Sequence, residues 1–454
     1  MGGTTVWKLV WALVLRLRSF GWQRVVGIAV GALLIVGLLA GFALNGSDEP
    51  PVADTMPPTL QVSPIDPVTS YRKPVLVRGK AVDAVKVSIG SDTVTPAADG
   101  TFELLVRWGP AYEVVAVDAA GNQTSTIAVT AITLPRMRTV HVTAHAWSHD
   151  GLRESILDLA REKRIDTVQL DIKDEDGVVG YDSQVPLARE SGAATAIYDA
   201  RTALTQLHDM GLQVVGRIVA FRDPTLATWA WHNGRPDWVV QNPSGQPYSS
   251  HYGPVAFTNF ANAEVRQYNI DLAVEAAHLG FDGVMYDYVR RPDGSLSSMH
   301  FAGLTGTPTE AVAAFLAQSR YPLHEAGAHL SAAVYGIAST RPDEIAQNIT
   351  LIAGSVDFVA PMIYPSHWNP GEYGVPNPNA QPYDIVYRSL QDFLAATAGT
   401  GATVIPWLQD FSLGVPYGDA EIRAQIDATR DAGIPSFFLW NAATRYHTGG
   451  IHPA

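Results

Sequence analysis

The chain contains no cysteine, which excludes disulfides, thiol catalysis and cysteine-bound zinc and leaves its stability to core packing. Acidic residues are missing from its start. All 44 Asp and Glu lie at or after Asp48, whereas Lys8, Arg16, Arg18 and Arg24 precede it. With a net charge of −13 and the acid concentrated downstream, nucleic acid is not an expected partner. No strand-like run is followed by GxGxxG or by GxxxxGKS/T, so the glycine loops that cradle dinucleotides and nucleotide phosphates are absent. No GxSxG turn follows a strand, which argues against serine catalysis. Histidines at metal-gripping spacing are missing as well. His141 and His145 read as one strand face roughly 13 Å apart, at about 3.3 Å per residue, with His149 beyond. Neither a metal nor a cofactor is expected.

Long apolar runs are rare, and the one that exists is informative. Val25 to Leu44 is uncharged for about 20 residues, enough at about 1.5 Å per residue to span a bilayer core. Basic residues before it and Asp48 and Glu49 after it orient a transmembrane helix with residues 1–24 in the cytoplasm and everything after Asn45 outside. The lipid bilayer is then a partner of this segment. A cleaved signal peptide is the rival reading, since Gly41-Phe42-Ala43 offers a small-x-small site. The length of the run, beyond the roughly 7–15 residues of a signal h-region, favours an uncleaved anchor.

Residues 45–58, rich in Pro, Asp, Gly and Ser, read as a stiffened linker. From Thr59 to about residue 135, short β-branched runs alternate with turns, which predicts a small β-sandwich. Asp99-Gly100-Thr101-Phe102 and Asp118-Ala119-Ala120-Gly121-Asn122 resemble the turns of bacterial immunoglobulin-like modules attached to extracellular carbohydrate enzymes. Such a module binds sugar or serves as a spacer; with no evident exposed cluster of aromatics, the spacer reading is favoured.

Residues 136–454 alternate strand and helix patterns. Eight strands are expected to begin near Val140, Thr167, Val214, Gly283, Leu330, Phe358, Val404 and Phe437, with helices between them. Repeated β-then-α order in a segment of this length predicts an α/β fold, a closed (β/α)8 TIM barrel, with a doubly wound open sheet as the alternative.

In such a barrel the site lies at the carboxyl ends of the strands. Strand four, Phe281 to Pro292, is apolar yet delivers Asp287 and Arg290 to that end, and charge there is costly unless paired or used. Strand two puts Gln169, Asp171 and Lys173 on one face by alternation. Strand three offers Arg217. Strand six offers Tyr364, then His367 and Trp368; strand seven Trp407, Gln409 and Asp410; strand eight Trp440 and Asn441. Glycosidic cleavage needs an ionised carboxylate, a proton-donating acid and aromatic faces for sugar rings, and this set offers all three. Asp287, Asp410 and Asp171 are the catalytic candidates. Lys173, Arg217, Arg290, Tyr364, His367, Trp368, Trp407, Gln409, Trp440 and Asn441 are the expected substrate-binding residues.

Four stretches carry a resemblance: Leu170 to Gly177, Phe281 to Arg290, Pro361 to Trp368 and Pro406 to Phe411. Over nearly the whole barrel the chain resembles a bacterial glycoside hydrolase family long classed as a domain of unknown function and grouped with α-amylase and α-galactosidase type barrels. The resemblance implies that Asp287 holds the place of the nucleophilic or charge-stabilising aspartate. Strand five, Leu330 to Gly336, lacks the glutamate that amylase-like enzymes carry there. The expected function is a membrane-anchored extracytoplasmic glycosidase or transglycosidase acting on a polysaccharide. The alternative is an inactive glycan-binding barrel that organises the cell envelope.

Overall fold

The computed structural model describes residues 54–453, so the apolar segment 25–44 and its anchor reading lie outside the described residues. Among the described residues no helix is long and apolar enough to cross a membrane.

Seven strands, at Thr59–Val62, Val75–Val82, Lys86–Ile89, Asp92–Val94, Thr101–Val106, Ala111–Val117 and Gln123–Val129, open the described chain. The first, second and fifth form one antiparallel sheet; the fourth, third, sixth and seventh form another, in those spatial orders. Strict alternation explains their packing. In Thr101–Val106, Phe102, Leu104 and Val106 are buried and the residues between are exposed. They share a core with Val77, Val87, Val114 and Ala116. The Asp118 carboxylate closes the last turn by accepting from the Asn122 backbone N–H at 2.8 Å.

The barrel follows. Its strands are Arg138–Val142, Thr167–Lys173, Gln213–Val219, Gly283–Asp287, His329–Tyr335, Phe358–Ile363, a seventh broken into Thr403–Val404 and Trp407–Gln409, and Phe437–Trp440. We number them one to eight. The seventh is interrupted at Ile405-Pro406, where proline has no N–H for the ladder. Every pairing is parallel. Strand eight pairs with strand one through Phe437 and Arg138, and strand five pairs with strand six, so the sheet closes into a ring and the open-sheet alternative is excluded. Helices between strands lie outside and shield the sheet. Pro308–Glu325 begins with a reciprocal cap in which Thr307 and Glu310 satisfy each other's backbone N–H groups.

Inside the ring, Val215, Met285, Phe358, Ala360, Ile405 and Phe438 fill the lower layers, so the barrel is a packed core. The first strand is shorter than its sequence pattern predicts. It ends at Val142, and His145 sits instead in the helix Ala144–Ser148, with His149 capping the next helix. Among the described residues no group of three or more His, Asp or Glu is arranged to hold a metal ion.

The sandwich docks at the amino-terminal end of the barrel strands. Arg72 donates to the carbonyls of Ala277 and Phe281 and pairs with Asp282, which immediately precedes strand four. Tyr71 donates to Asp357, which precedes strand six, at 2.7 Å, and its ring stacks on His324 at 3.9 Å. These contacts lie at the opposite end of the barrel from the strands' carboxyl termini.

Candidate active site

At the carboxyl end of the strands lies a cavity of about 370 Å³. Its floor is charged. Arg217, on strand three, is 1% exposed and joins three carboxylates. Its Nε and Nη2 donate to Asp287 Oδ2 at 3.0 and 2.7 Å, its Nη1 to Asp171 Oδ1 at 3.1 Å, and its Nη2 also to Glu175 Oε1 at 2.5 Å. Asp171 in turn meets His141 Nε2 at 2.8 Å. One guanidinium thus faces three carboxylates. Burial opposes the charge on Arg217, but Glu175, Asp171 and Asp287 outweigh burial and hold it charged far above its ordinary value. Burial would likewise raise Glu175, yet the charge and hydrogen bond of Arg217 bring it down to about 2.

Asp287 ends strand four, and the next residue fixes it. Tyr288 has φ +48°, in the left-handed region, which costs a non-glycine residue roughly 1–3 kcal/mol. That turn aims the Tyr288 N–H at Asp287 Oδ1, 2.7 Å away. The other oxygen of Asp287 is taken by Arg217, so the carboxylate is held at both ends.

The walls are aromatic. Trp407 and Trp440 tilt against each other with centroids 5.3 Å apart, and Arg217 lies over both rings. Tyr364, His367 and Trp368 form a second wall, and Tyr252, Tyr288 and Tyr335 a third. Burial, together with the Asp287 charge, pushes the Tyr364 phenol well up, so it stays protonated. Burial pushes His367 down, which favours a neutral imidazole.

Of the residues the sequence singles out, Asp287, Arg217, Tyr364, His367, Trp368, Trp407 and Trp440 line this cavity together. The others are placed elsewhere. Asp171 lies beneath Arg217 and is shielded by it. Lys173 is fully buried on the far side of strand two, where it pairs with Asp223 at 2.6 Å and bonds Asn269 at 2.9 Å. The reason is a register shift: Arg217 pairs with Asp171 but Ile218 pairs with Lys173, so the extra residue Ile172 turns Lys173 out of the barrel. Asp410 is buried against His447, bonding its Nδ1 at 2.5 Å and its backbone N–H at 3.0 Å. Burial raises Asp410 above the usual carboxylate range although His447 opposes it.

Gln409 holds the wall loop through Ser366, accepting from its backbone N–H at 3.1 Å and its hydroxyl at 2.8 Å. Asn441 bonds the carbonyl of Asp410 and caps the Ala443 N–H. Arg290 stands behind the third wall, donating to Tyr335 Oη at 2.7 Å. Lys173, Arg290, Gln409 and Asn441 therefore support the walls rather than face the cavity.

Glu175, Tyr252, Tyr288 and Tyr335 line the cavity without having been singled out. Glu175 sits in the Asp174-Glu175-Asp176-Gly177 turn, where the Asp174 carboxylate accepts from the N–H groups of Asp176 and Val178. Its sequence signals were adjacency to strand two and a place in the Leu170 to Gly177 stretch that carries the family resemblance.

A closed (β/α)8 barrel whose strand ends gather carboxylates beneath aromatic walls is the build of a carbohydrate hydrolase. The model of the family described as "Putative glycosyl hydrolase domain" (DUF4015) matches residues 139–446, and the chain belongs to that family. Its barrel is a glycosyl hydrolase domain. Among solved structures, a hypothetical protein from Ruminiclostridium thermocellum ATCC 27405 is 32% identical over 42% of this chain and 96% of its own, with a TM-score of 0.39. The glycoside hydrolase domain of PgaB (BpsB) from Bordetella bronchiseptica is 16% identical over 68% of this chain and 95% of its own, with a TM-score of 0.50, and shares the fold. No curated protein matches the chain significantly in sequence.

Proposed function

We propose that this chain is a membrane-anchored, extracytoplasmic glycoside hydrolase or transglycosidase acting on a polysaccharide, with Asp287 as the carboxylate that meets the anomeric carbon. One observation carries the reading: Asp287 is fixed at both oxygens on the floor of a cavity walled by Trp368, Trp407, Trp440 and tyrosines. A preset negative charge there would stabilise an oxocarbenium-like transition state with little reorganisation, and the flat rings suit sugar faces. The anchor rests on the apolar segment Val25 to Leu44 and its flanking charges. The sandwich, residues 59–135, is an immunoglobulin-like spacer in this reading, and the barrel, 136–454, is the catalytic domain. Docking of the sandwich at the end opposite the cavity supports the spacer over a sugar-binding role.

The test is release of reducing ends by the full chain from a panel of bacterial envelope and plant polysaccharides. One observation favours a second reading, an inactive barrel that binds glycan: both carboxylates at the cavity surface, Asp287 and Glu175, are already bonded to Arg217. Binding to one polymer with no release from any would select it.

A further inference from the structure

Glu175 and Asp287 are the two carboxylates that line the cavity, and they are held unequally. The Asp287 side chain is 4% exposed and takes three bonds, two from Arg217 and one from the Tyr288 N–H. Glu175 is 28% exposed, sits in a turn, and has one side-chain partner, Arg217 Nη2. Both carboxylates bond that same nitrogen, at 2.5 and 2.7 Å. Their nearest oxygens therefore lie less than about 5.2 Å apart, which puts the pair on the short side, where retaining glycosidases keep their carboxyls, and not at the roughly 6.5–9.5 Å that inverting ones open for a water.

We propose that Glu175 is the acid/base partner of Asp287 and that the reaction retains anomeric configuration. The inference rests on the glycosidase reading above. An incoming glycosidic oxygen displaces Glu175 from its single bond to Arg217. Freed from that cation, Glu175 is left with burial, which favours the protonated form, and it takes up a proton from solvent. It gives this proton to the leaving oxygen as the C–O bond breaks, while the Asp287 carboxylate forms an ester to the anomeric carbon. In the second half, Glu175, now a carboxylate, takes a proton from water. The water oxygen bonds the anomeric carbon, the ester breaks, and Asp287 leaves as a carboxylate. Arg217 and the Tyr288 N–H hold the Asp287 side chain in place for its attack. The turn that carries Glu175 is held from beneath by Thr225, whose hydroxyl donates to the Asp176 carbonyl at 2.7 Å, so the backbone stays in place while the side chain moves.

The full-length chain and its Glu175→Ala and Glu175→Gln variants would be assayed on 2,4-dinitrophenyl glycosides of glucose, galactose and N-acetylglucosamine, both anomers. The corresponding unactivated disaccharides would be run beside them. Loss of the acid should lower turnover of the disaccharides roughly 10²- to 10⁴-fold. The first step with a dinitrophenolate leaving group needs no proton and should change less than about tenfold. Added azide should then restore turnover of Glu175→Ala and give a glycosyl azide of the substrate's own anomeric configuration, which also shows that the variant is folded. Equal losses on both substrate classes with no effect of azide, in a wild-type background that turns them over, overturn the role of Glu175. Should the wild type act only on a polymer of the polysaccharide panel, undiminished release by Glu175→Gln overturns the role of Glu175; wild-type chain that hydrolyses neither class and no polymer of the panel overturns the glycosidase reading itself, and this inference with it.

Discussion

Replacing Arg217 by Met removes the one cation among Asp171, Glu175 and Asp287 while keeping most of the side-chain volume. Two of those carboxylates are nearly inaccessible, at 2% and 4% side-chain exposure, so their charge cannot be handed to solvent. Breaking a buried pair by removing one partner costs about 3–5 kcal/mol. At roughly 2 °C per kcal/mol for a domain this large, the melting temperature at pH 7 should fall by about 6–10 °C. The sign with pH follows from Glu175, whose ordinary value of 4.5 is lowered to about 2 by Arg217. A carboxylate lowered on folding contributes stability that is full above 4.5 and is lost as pH falls toward 2, here up to about 3 kcal/mol. The variant lacks that contribution. Its deficit should be full at pH 7 and shrink between pH 4.5 and 3. Adding Asp287→Asn to the variant should recover part of the loss, because it removes a repelling charge. Thermal unfolding at pH 7 and urea unfolding of the three proteins at pH 7, 5, 4 and 3 together measure all of this. A deficit that is the same at every pH would refute the electrostatic reasoning and assign the loss to packing.

Two further outcomes follow from the geometry at the two ends of the barrel. Gly177 has φ +79°, and a Cβ there would stand 2.1 Å from Asp223 Oδ1, so Gly177→Ala must shift the turn that carries Glu175. Stability should fall by about 1–3 kcal/mol and turnover more than apparent substrate affinity, read from kcat and KM separately. Tyr71→Phe removes the hydroxyl that donates to Asp357. It should cost about 1.5–3 kcal/mol in thermal unfolding while leaving kcat unchanged, because the contact lies at the far end of the barrel.

The fold was largely legible because a buried parallel strand needs an uninterrupted apolar run. Strands four, six and eight begin at Gly283, Phe358 and Phe437, where such runs place them, and strand two begins at Thr167, where alternation places it. The site was legible where a polar or aromatic residue stands on the inward face of a strand end, as with Arg217, Asp287, Trp407 and Trp440. It was hidden where local geometry departs from simple alternation. The extra residue Ile172 in strand two turned Lys173 outward. Asp410 shows the converse, since alternation from Trp407 puts Gln409 inward and Asp410 outward, toward His447. Glu175 lay in the Leu170 to Gly177 stretch but in an Asp-Glu-Asp-Gly turn past the strand, where no alternation aims a side chain inward, and only the three-dimensional approach of Arg217 distinguishes it from its neighbours. Tyr252 comes from the long connection between strands three and four, whose path no periodicity encodes.

The most direct test of the central claim is reducing-end release from the same polysaccharide panel by wild-type chain and Asp287→Asn, with polymer binding measured in parallel. The account predicts release from at least one polymer by the wild type, loss of release in the variant, and binding retained in both. Undiminished release by Asp287→Asn would contradict it.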